Sequence, residues 1–333
     1  MNIIIPMAGM GKRMRPHTLT IPKPLIRIAG KPIVQRLAED IVKVAAHQVE
    51  EIAFIIGDFG DEVEKELLAI AANLGAKGKI YYQREALGTA HAINCAADSL
   101  KGNVIVAFAD TLFDADFHLD IQKDGIIWTH KVDDPSAFGV VKKDQQGIIT
   151  DFVEKPAEFV SDEAIIGIYY FKDGDNLQSE LQYLMDNKVI KGGEYQLTDA
   201  LENMKHKGLR FYSGQVKEWL DCGNKEATVY TNQRVLELSK SKDLIAADLQ
   251  TQDVLIVEPC YIGNDVKIEN SIIGPHVSIG EGTVIKNSIL QNSIIQNHCT
   301  LENAHIQNSM LGSFVQYQGA PEDLSLGDYS TKK

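Results

Sequence analysis

The last third of the chain places an aliphatic residue every five or six positions, a spacing that fits neither an α-helix nor a strand. Ile262, Ile268, Ile273, Ile279, Ile285, Leu290, Ile295, Leu301, Ile306 and Leu311 mark it, and Asn-Ser recurs at 270–271, 287–288, 292–293 and 308–309. Helical faces repeat every 3.6 residues and strand faces every 2. A unit this short cannot bury an apolar face alone. It gains a core by stacking on its neighbours, as in a β-solenoid whose every side turns one aliphatic residue inward while Asn, Gly and Ser turn the corners. Residues 251–318 have room for about four such coils. A polar helix over 224–247, within a linker spanning 224–250, precedes them, and a polar tail follows at 319–333.

The first 223 residues follow a different rule, with short aliphatic runs alternating with helical patterns. The expected order is strand 3–7, helix 33–46, strand 52–57, helix 60–73, strand 79–83, helix 88–99 and strand 104–109. This βαβ series predicts an α/β, Rossmann-like, mostly parallel sheet with ligands at the carboxyl ends of its strands. The runs at 126–131, 137–143, 147–153 and 164–171 are strand-rich and predict an extension of that sheet carrying a substrate lip.

Composition narrows the partners. Of 333 residues, 46 are acidic and 33 basic, so a net charge of −13 sets the bulk surface against nucleic acid, and any polyanion bound must be small and held locally. No run approaches eighteen apolar residues and no signal-peptide core follows Met1, which predicts no membrane partner and a cytoplasmic enzyme. Cys95, Cys222, Cys260 and Cys299 lack paired spacing and are expected to be free thiols.

The local anion site is at the N-terminus. The apolar run Ile3-Ile4-Ile5 leads into a loop with Ala8, Gly9 and Gly11 and then Lys12, Arg13, Arg15 and Lys23. Glycines free the backbone to aim N–H groups at one anion, and the cations supply countercharge. Two familiar phosphate loops fail on spacing. A dinucleotide fingerprint needs a glycine where Met14 stands and an immediate helix that Pro16 and Pro22 forbid, and a Walker loop needs four residues between its glycines. An irregular loop over polyphosphate remains.

On these residues the chain resembles the sugar-1-phosphate nucleotidyltransferases that carry a C-terminal left-handed β-helix of hexapeptide repeats. The likeness covers almost the whole length except the polar tail. It implies attack by a sugar-phosphate oxygen on the α-phosphorus of a nucleoside triphosphate, with pyrophosphate leaving. A phosphate monoester has its second pKa near 6, so the nucleophile is already largely ionised and needs no activating base. The task is to align two anions and neutralise the leaving group, which calls for cations and magnesium (Mg2+).

The resemblance distributes roles. The glycine-loop motif falls on Gly9, Gly11, Lys12, Arg13, Met14 and Pro16, with Lys12 where threonine is usual. Arg13 clamps the β,γ-phosphates and Lys23 reaches the reacting phosphates. Asp110, after the apolar run 104–108, and Asp221, in Glu-Trp-Leu-Asp-Cys-Gly, are the metal carboxylates, with Ala109 and Asn224 departing from the usual glycine and threonine. Gln83, Gly88 and Thr89 belong to the base-recognition loop. Glu154 and Lys155 match the Glu-Lys-Pro that contacts sugar hydroxyl and phosphate, and Gly139, Gly167, Glu194 and Thr198 complete the sugar pocket. Phe138 lacks the usual tyrosine hydroxyl, and an arginine that some relatives carry near Gly192 is absent.

Glucose 1-phosphate with dTTP or UTP is the expected substrate pair. Alternatives are mannose-1-phosphate guanylyl transfer, a phosphocholine cytidylyltransferase-like reaction, and a regulatory homologue that binds without catalysing. A second, acyltransferase activity of the solenoid would draw on His276, His298 or His305. The β-helix or the linker helix is expected to join copies into a homo-oligomer.

Overall fold

A computed structural model describes residues 1–45, 47–115, 119–239, 244–320, 325, 327, 330 and 331. Linker positions 240–243 and most of the tail proposed at 319–333 lie outside the described residues. The chain divides into two compact units, one formed by residues 1–26 and 31–227, the other by 27–30 and 228–333.

In chain order the first part contains β1 (Asn2–Pro6), β2 (Arg27–Ile28), β3 (Lys31–Pro32), α1 (Ile33–Ala45), β4 (Glu51–Ile56), α2 (Asp61–Asn73), β5 (Lys77–Tyr82), α3 (Thr89–Asn94), β6 (Val104–Ala107) and β7 (Thr111–Asp114). There follow β8 (Gly125–Lys131), β9 (Gly139–Lys143), β10 (Ile149–Glu154), β11 (Glu163–Phe171), α4 (Gly174–Asp186), α5 (Leu197–His206), β12 (Phe211–Gln215), β13 (Glu218–Asp221) and α6 (Lys225–Leu238). The main sheet runs β10-β9-β11-β6-β1-β4-β5, with β8 branching from β11 and β12 pairing with β8.

The parallel part is β6-β1-β4-β5, and β11 joins β6 antiparallel. The expected mostly parallel sheet is therefore parallel in its first four strands and mixed in its extension. Ile3, Ile4 and Ile5 of β1 are fully buried because both neighbours and both faces cover them. The chain proceeds from β1 to β4 and β5 on one side, then returns to β6 on the other. Strand order reverses beside β1, and the loops leaving β1 and β6 splay around a crevice there.

Two expected boundaries move. The helix at 88–99 is a short α3 followed by a 3-10 turn at Ala97–Ser99, and the helix at 224–247 is α6, ending at Leu238. Arg27–Gly30 groups with the second unit although it precedes the expected boundary by far in sequence. Hydrogen bonds hold it there: Ala29 N donates to Asn232 Oδ1 at 3.1 Å and Gln296 Nε2 to Arg27 O at 3.0 Å.

The second unit contains parallel ladders throughout its repeat. Thr251 pairs with Ile268, Ile268 with Ile285, Ile285 with Leu301, and Leu301 with Tyr317, giving successive steps of 17, 17, 16 and 16 residues. A coil of 16 or 17 residues divided among three sides produces the five-to-six period. The Asn-Ser dipeptide has two separable jobs. Asn270, Asn287, Asn292 and Asn308 take the left-handed conformation at φ between 38° and 49°, which Asn tolerates better than most residues, and so turn the corners. Ser271, Ser288 and Ser293, which follow three of them, are buried and accept from the next coil: Ser288 N donates to Ser271 Oγ, Ala304 N to Ser288 Oγ and Ser309 N to Ser293 Oγ, at 3.0, 3.0 and 3.1 Å.

That ladder gives a test. Ser288→Ala leaves the buried Ala304 N–H without its acceptor, at a cost of about 1–3 kcal/mol. Amide exchange at Ala304 should accelerate roughly tenfold to hundredfold, while Ser309→Ala should leave it within about a factor of two. Equal protection in Ser288→Ala would remove the serine ladder from the stability of the coils.

Candidate active site

The glycine loop leaves β1 as Met7-Ala8-Gly9 and closes through 3-10 turns at Lys12–Met14, His17–Leu19 and Lys23–Leu25. Gly11 occupies a left-handed position at φ 56°, and a Cβ there would meet Thr18 Cγ2 at 3.0 Å and Lys23 Cβ at 3.1 Å. Gly11 shapes the turn and lines neither of the two cavities that meet at Asp110. Among the described residues the N–H groups of Ala8 and Gly9 have no protein acceptor, and both residues line a cavity of about 280 Å3. Free amides beside Lys23 form an anion-receptive surface.

The same cavity is walled by Gln83, Gly88, Thr89, Glu194 and, from the loop after β6, Phe108, Ala109 and Asp110. A second cavity of about 420 Å3 is lined by Arg13, Thr89, Phe108, Asp110, Phe138, Gly139, Glu154, Gly167, Thr198, Trp219 and Asp221, among others. Thr89, Phe108 and Asp110 belong to both, so the two cavities meet at a carboxylate.

The pairing of β7 with β13 unites the two aspartates. Thr111 stands opposite Asp221 in an antiparallel ladder, and Cys222 N donates to Asp110 O at 2.9 Å. Lys23 Nζ donates to Asp110 Oδ2 at 2.6 Å, and Gly223 N to Asp221 Oδ1 at 2.9 Å. A Cβ at Gly223 would lie 3.0 Å from both Asp221 carboxylate oxygens and 3.2 Å from Arg13 Nη2, so glycine permits that guanidinium and that carboxylate to converge. Burial pushes the Asp221 carboxyl above its ordinary pKa and the nearby Asp110 adds to the rise, while Gly223 N–H, Lys23 and Arg13 oppose it.

Not every expected residue joins this centre. Lys12 is exposed and lines neither cavity. Lys155 sits at φ 42°, which turns its side chain out of the strand alternation; it is 66% exposed, 4.0 Å from Glu154 Oε1, and lines a third, adjacent cavity with Glu154, Lys191, Glu194, Thr198 and Asp199. Lys191 pairs with Asp199 there. Asn224 caps α6 by accepting from Ala227 N at 2.9 Å, a helix-start role that an Asn side chain performs well. Of the histidines considered for a second activity, His276 pairs with Glu237 at 2.9 Å and His298 stacks on Phe314 at 5.2 Å.

Trp219 was not among the expected site residues, yet it lines the second cavity and meets Phe138 edge to face at 4.9 Å. The signal was present. Trp219 and Asp221 are two apart on β13 and so share a face. Gly223 was equally legible as the residue after Asp-Cys.

The donor set fits a hard divalent cation. Asp110 and Asp221 offer carboxylate oxygens to one cavity, and among the described residues no group of three His, Cys, Asp or Glu could hold a metal without further ligands. Magnesium is commonly bound in this way, by one or two carboxylates plus substrate phosphates and water.

The family model for nucleotidyl transferases matches residues 2–237. A glucose-1-phosphate thymidylyltransferase of Streptomyces griseus is 26% identical over 358 residues, covering 99% of this chain and 98% of that protein. A mannose-1-phosphate guanylyltransferase catalytic subunit beta of Drosophila melanogaster is 36% identical over 177 residues, 50% of this chain and 47% of the relative. Among solved structures, a nucleoside-diphosphate-sugar pyrophosphorylase of Vibrio cholerae RC9 shares the fold with a TM-score of 0.60 at 19% identity, over 69% of this chain and 99% of that one.

Glu154 provides a pH test of the site. Burial holds its carboxyl above the ordinary 4.5, with Asp199 and Glu194 adding to the rise and Lys155 opposing it. A carboxyl whose folded pKa exceeds its unfolded value binds its proton more tightly when folded, so its contribution to stability is fullest below 4.5 and falls as pH rises through the folded value. In calorimetry, the Tm of Glu154→Gln minus that of the parent should climb as pH rises from below 4.5 to neutral. A difference independent of pH would contradict this burial.

Proposed function

Because the chain belongs to the nucleotidyl transferase family, we propose that it transfers a nucleotidyl group from a nucleoside triphosphate to a sugar 1-phosphate. The observation that carries this reading is the shared wall: Asp110 faces the cavity of the glycine loop and the cavity of Glu154 and Thr198 at once. A triphosphate seated on Ala8 and Gly9 would bring its α-phosphorus to the boundary where an acceptor phosphate enters from the other side.

In the proposed reaction an acceptor phosphate oxygen forms a bond to the α-phosphorus, the α–β bridging P–O bond breaks, and pyrophosphate carries away the electron pair. Lys23 and Arg13 neutralise the charge that accumulates on the departing phosphates. Glu154 and Thr198 orient the sugar, and Lys155, beside Glu154 in the adjoining cavity, would contact its phosphate. Held by Asp110 and Asp221, magnesium would supply further charge neutralisation at the phosphates. Binding and alignment supply most of the rate, since the nucleophile needs no base.

Glucose 1-phosphate with dTTP or UTP is the favoured pair, supported by the near full-length likeness to the Streptomyces thymidylyltransferase. Guanylyl transfer to mannose 1-phosphate is the second reading, supported by the higher identity of the Drosophila relative over half the chain. The cytoplasm remains the proposed compartment; among the described residues no helix is long and apolar enough to cross a membrane. We also propose a homo-oligomer joined through the β-helix or α6.

Pyrophosphate release from five nucleoside triphosphates against several hexose 1-phosphates, with magnesium, should identify one productive pair. In that pair Asp110→Asn and Lys23→Ala should each lower kcat by roughly a thousandfold with unchanged circular dichroism. Near-normal rates in either variant would reject this centre.

A further inference from the structure

Gln83 follows β5 and faces the glycine-loop cavity, and its amide has a settled orientation. Nε2 donates to Gly88 O at 3.2 Å and lies 3.1 Å from His91 Nδ1. An amide nitrogen carries two hydrogens and accepts nothing, whereas its oxygen only accepts. Turned over, the amide would set Oε1 against the Gly88 carbonyl, acceptor to acceptor.

The Gly88 carbonyl is fixed in place. Gly88 has φ 110°, and a Cβ there would come within 2.5 Å of Tyr195 O. Tyr195 N donates to Leu87 O at 2.8 Å, Ala90 N to Tyr195 O at 3.0 Å and Leu197 N to Thr89 Oγ1 at 3.0 Å, so the segment before α5 is zipped to the start of α3. His91 lies in the first turn of α3, half-buried. Burial lowers its pKa, with Glu85 acting the other way, which favours a neutral ring; the Gln83 amide donor beside Nδ1 then selects the tautomer with its proton on Nε2.

We infer that His91 is a positioning residue for nucleobase selection: with the Gly88 carbonyl it engages both amide hydrogens of Gln83, leaving Oε1 as the group presented to the base. Among the described residues Oε1 has no protein partner. A base placed against it must offer an N–H with a carbonyl beside it for the Gly88 N–H, which has no protein acceptor among the described residues. Thymine and uracil do so at N3 and guanine at N1; cytosine N3 and adenine N1 carry lone pairs and would face Oε1 unpaired. Loss of the His91 acceptor leaves the Gly88 carbonyl alone to hold the amide, and the distinction weakens.

This inference rests on the triphosphate site proposed above, and its test separates the two. In the enzyme as it stands, kcat/KM for the best of dTTP, UTP and GTP should exceed that for CTP and ATP by roughly a hundredfold or more. His91→Leu, which keeps the volume and removes the acceptor, should reduce that ratio at least about tenfold. His91→Asn puts Oδ1 where Nδ1 stands and should retain most of it. A preference for CTP or ATP, or an unchanged ratio in His91→Leu, would overturn the inference. Calorimetric binding of the same five triphosphates reads the preference independently of turnover. Selective binding without pyrophosphate release would defeat the transfer reaction and leave the His91 assignment standing, whereas turnover with an unaltered ratio would do the reverse.

Discussion

The pairing of β1 with β6 governs this structure. Asn2, Ile3 and Ile4 align in parallel with Val104, Ile105 and Val106, so the loop leaving Pro6 and the loop leaving Ala107 emerge side by side from the same edge. The glycine loop thereby stands opposite Phe108-Ala109-Asp110 without any direct bond being required between their tips. The five fully buried residues Ile3, Ile4, Ile5, Val104 and Val106 hold that alignment. A register slip of one residue would turn each side chain to the other face of the sheet, exchanging the layers that α-helices cover. The core and the site thus share one constraint.

On that frame the electrostatics are opposed in a specific way. Two carboxylates converge because β7 and β13 pair, and burial, with the nearby Asp110 adding to it, raises the pKa of Asp221. Lys23 compensates by bonding Asp110, and Arg13 approaches Asp221 through the space that Gly223 leaves. Such an arrangement stores unfavourable interactions that cations and phosphates bound together would relieve. The folded scaffold elsewhere is well able to carry that cost, with continuous aliphatic cores in the sheet domain and in the stacked coils.

Much of this was legible in the chain, for reasons that differ by element. The long aliphatic runs of β1, β4 and β6 permit only buried strands, and the five-to-six period of the repeat permits only short coil sides. Motif residues Asp110, Asp221, Gln83 and Gly88 were legible because their chemistry is carried by residue type. What escaped depended on contacts between distant segments. Nothing local in Arg27–Gly30 shows that Asn232 and Gln296 will bind its backbone. Lys155 follows Glu154 directly, yet its left-handed φ sends it to a neighbouring cavity. Trp219 could have been found from strand alternation with Asp221, whereas the contact of His91 with Gln83 required the path of the loop between them.

The amide of Gln83 also bears on how relatives of different nucleobase preference can resemble one chain. Thymidylyl and guanylyl transferases handle bases that differ in size and ring number, so a site built on shape would have to be rebuilt between them. A site built on one acceptor would not, because thymine, uracil and guanine all direct a ring N–H from an imide or lactam edge. The Gly88 N–H, which has no protein acceptor among the described residues, can pair with the adjacent carbonyl in each case. Cytosine presents the reverse pattern at that edge, and its acceptance would require the amide to turn against both Gly88 O and His91. If Gln83 reads the base as proposed, the cytidylyl alternative is disfavoured by two hydrogen bonds inside the protein, and the choice between thymine or uracil and guanine falls to the room around Gln83 and Ala86.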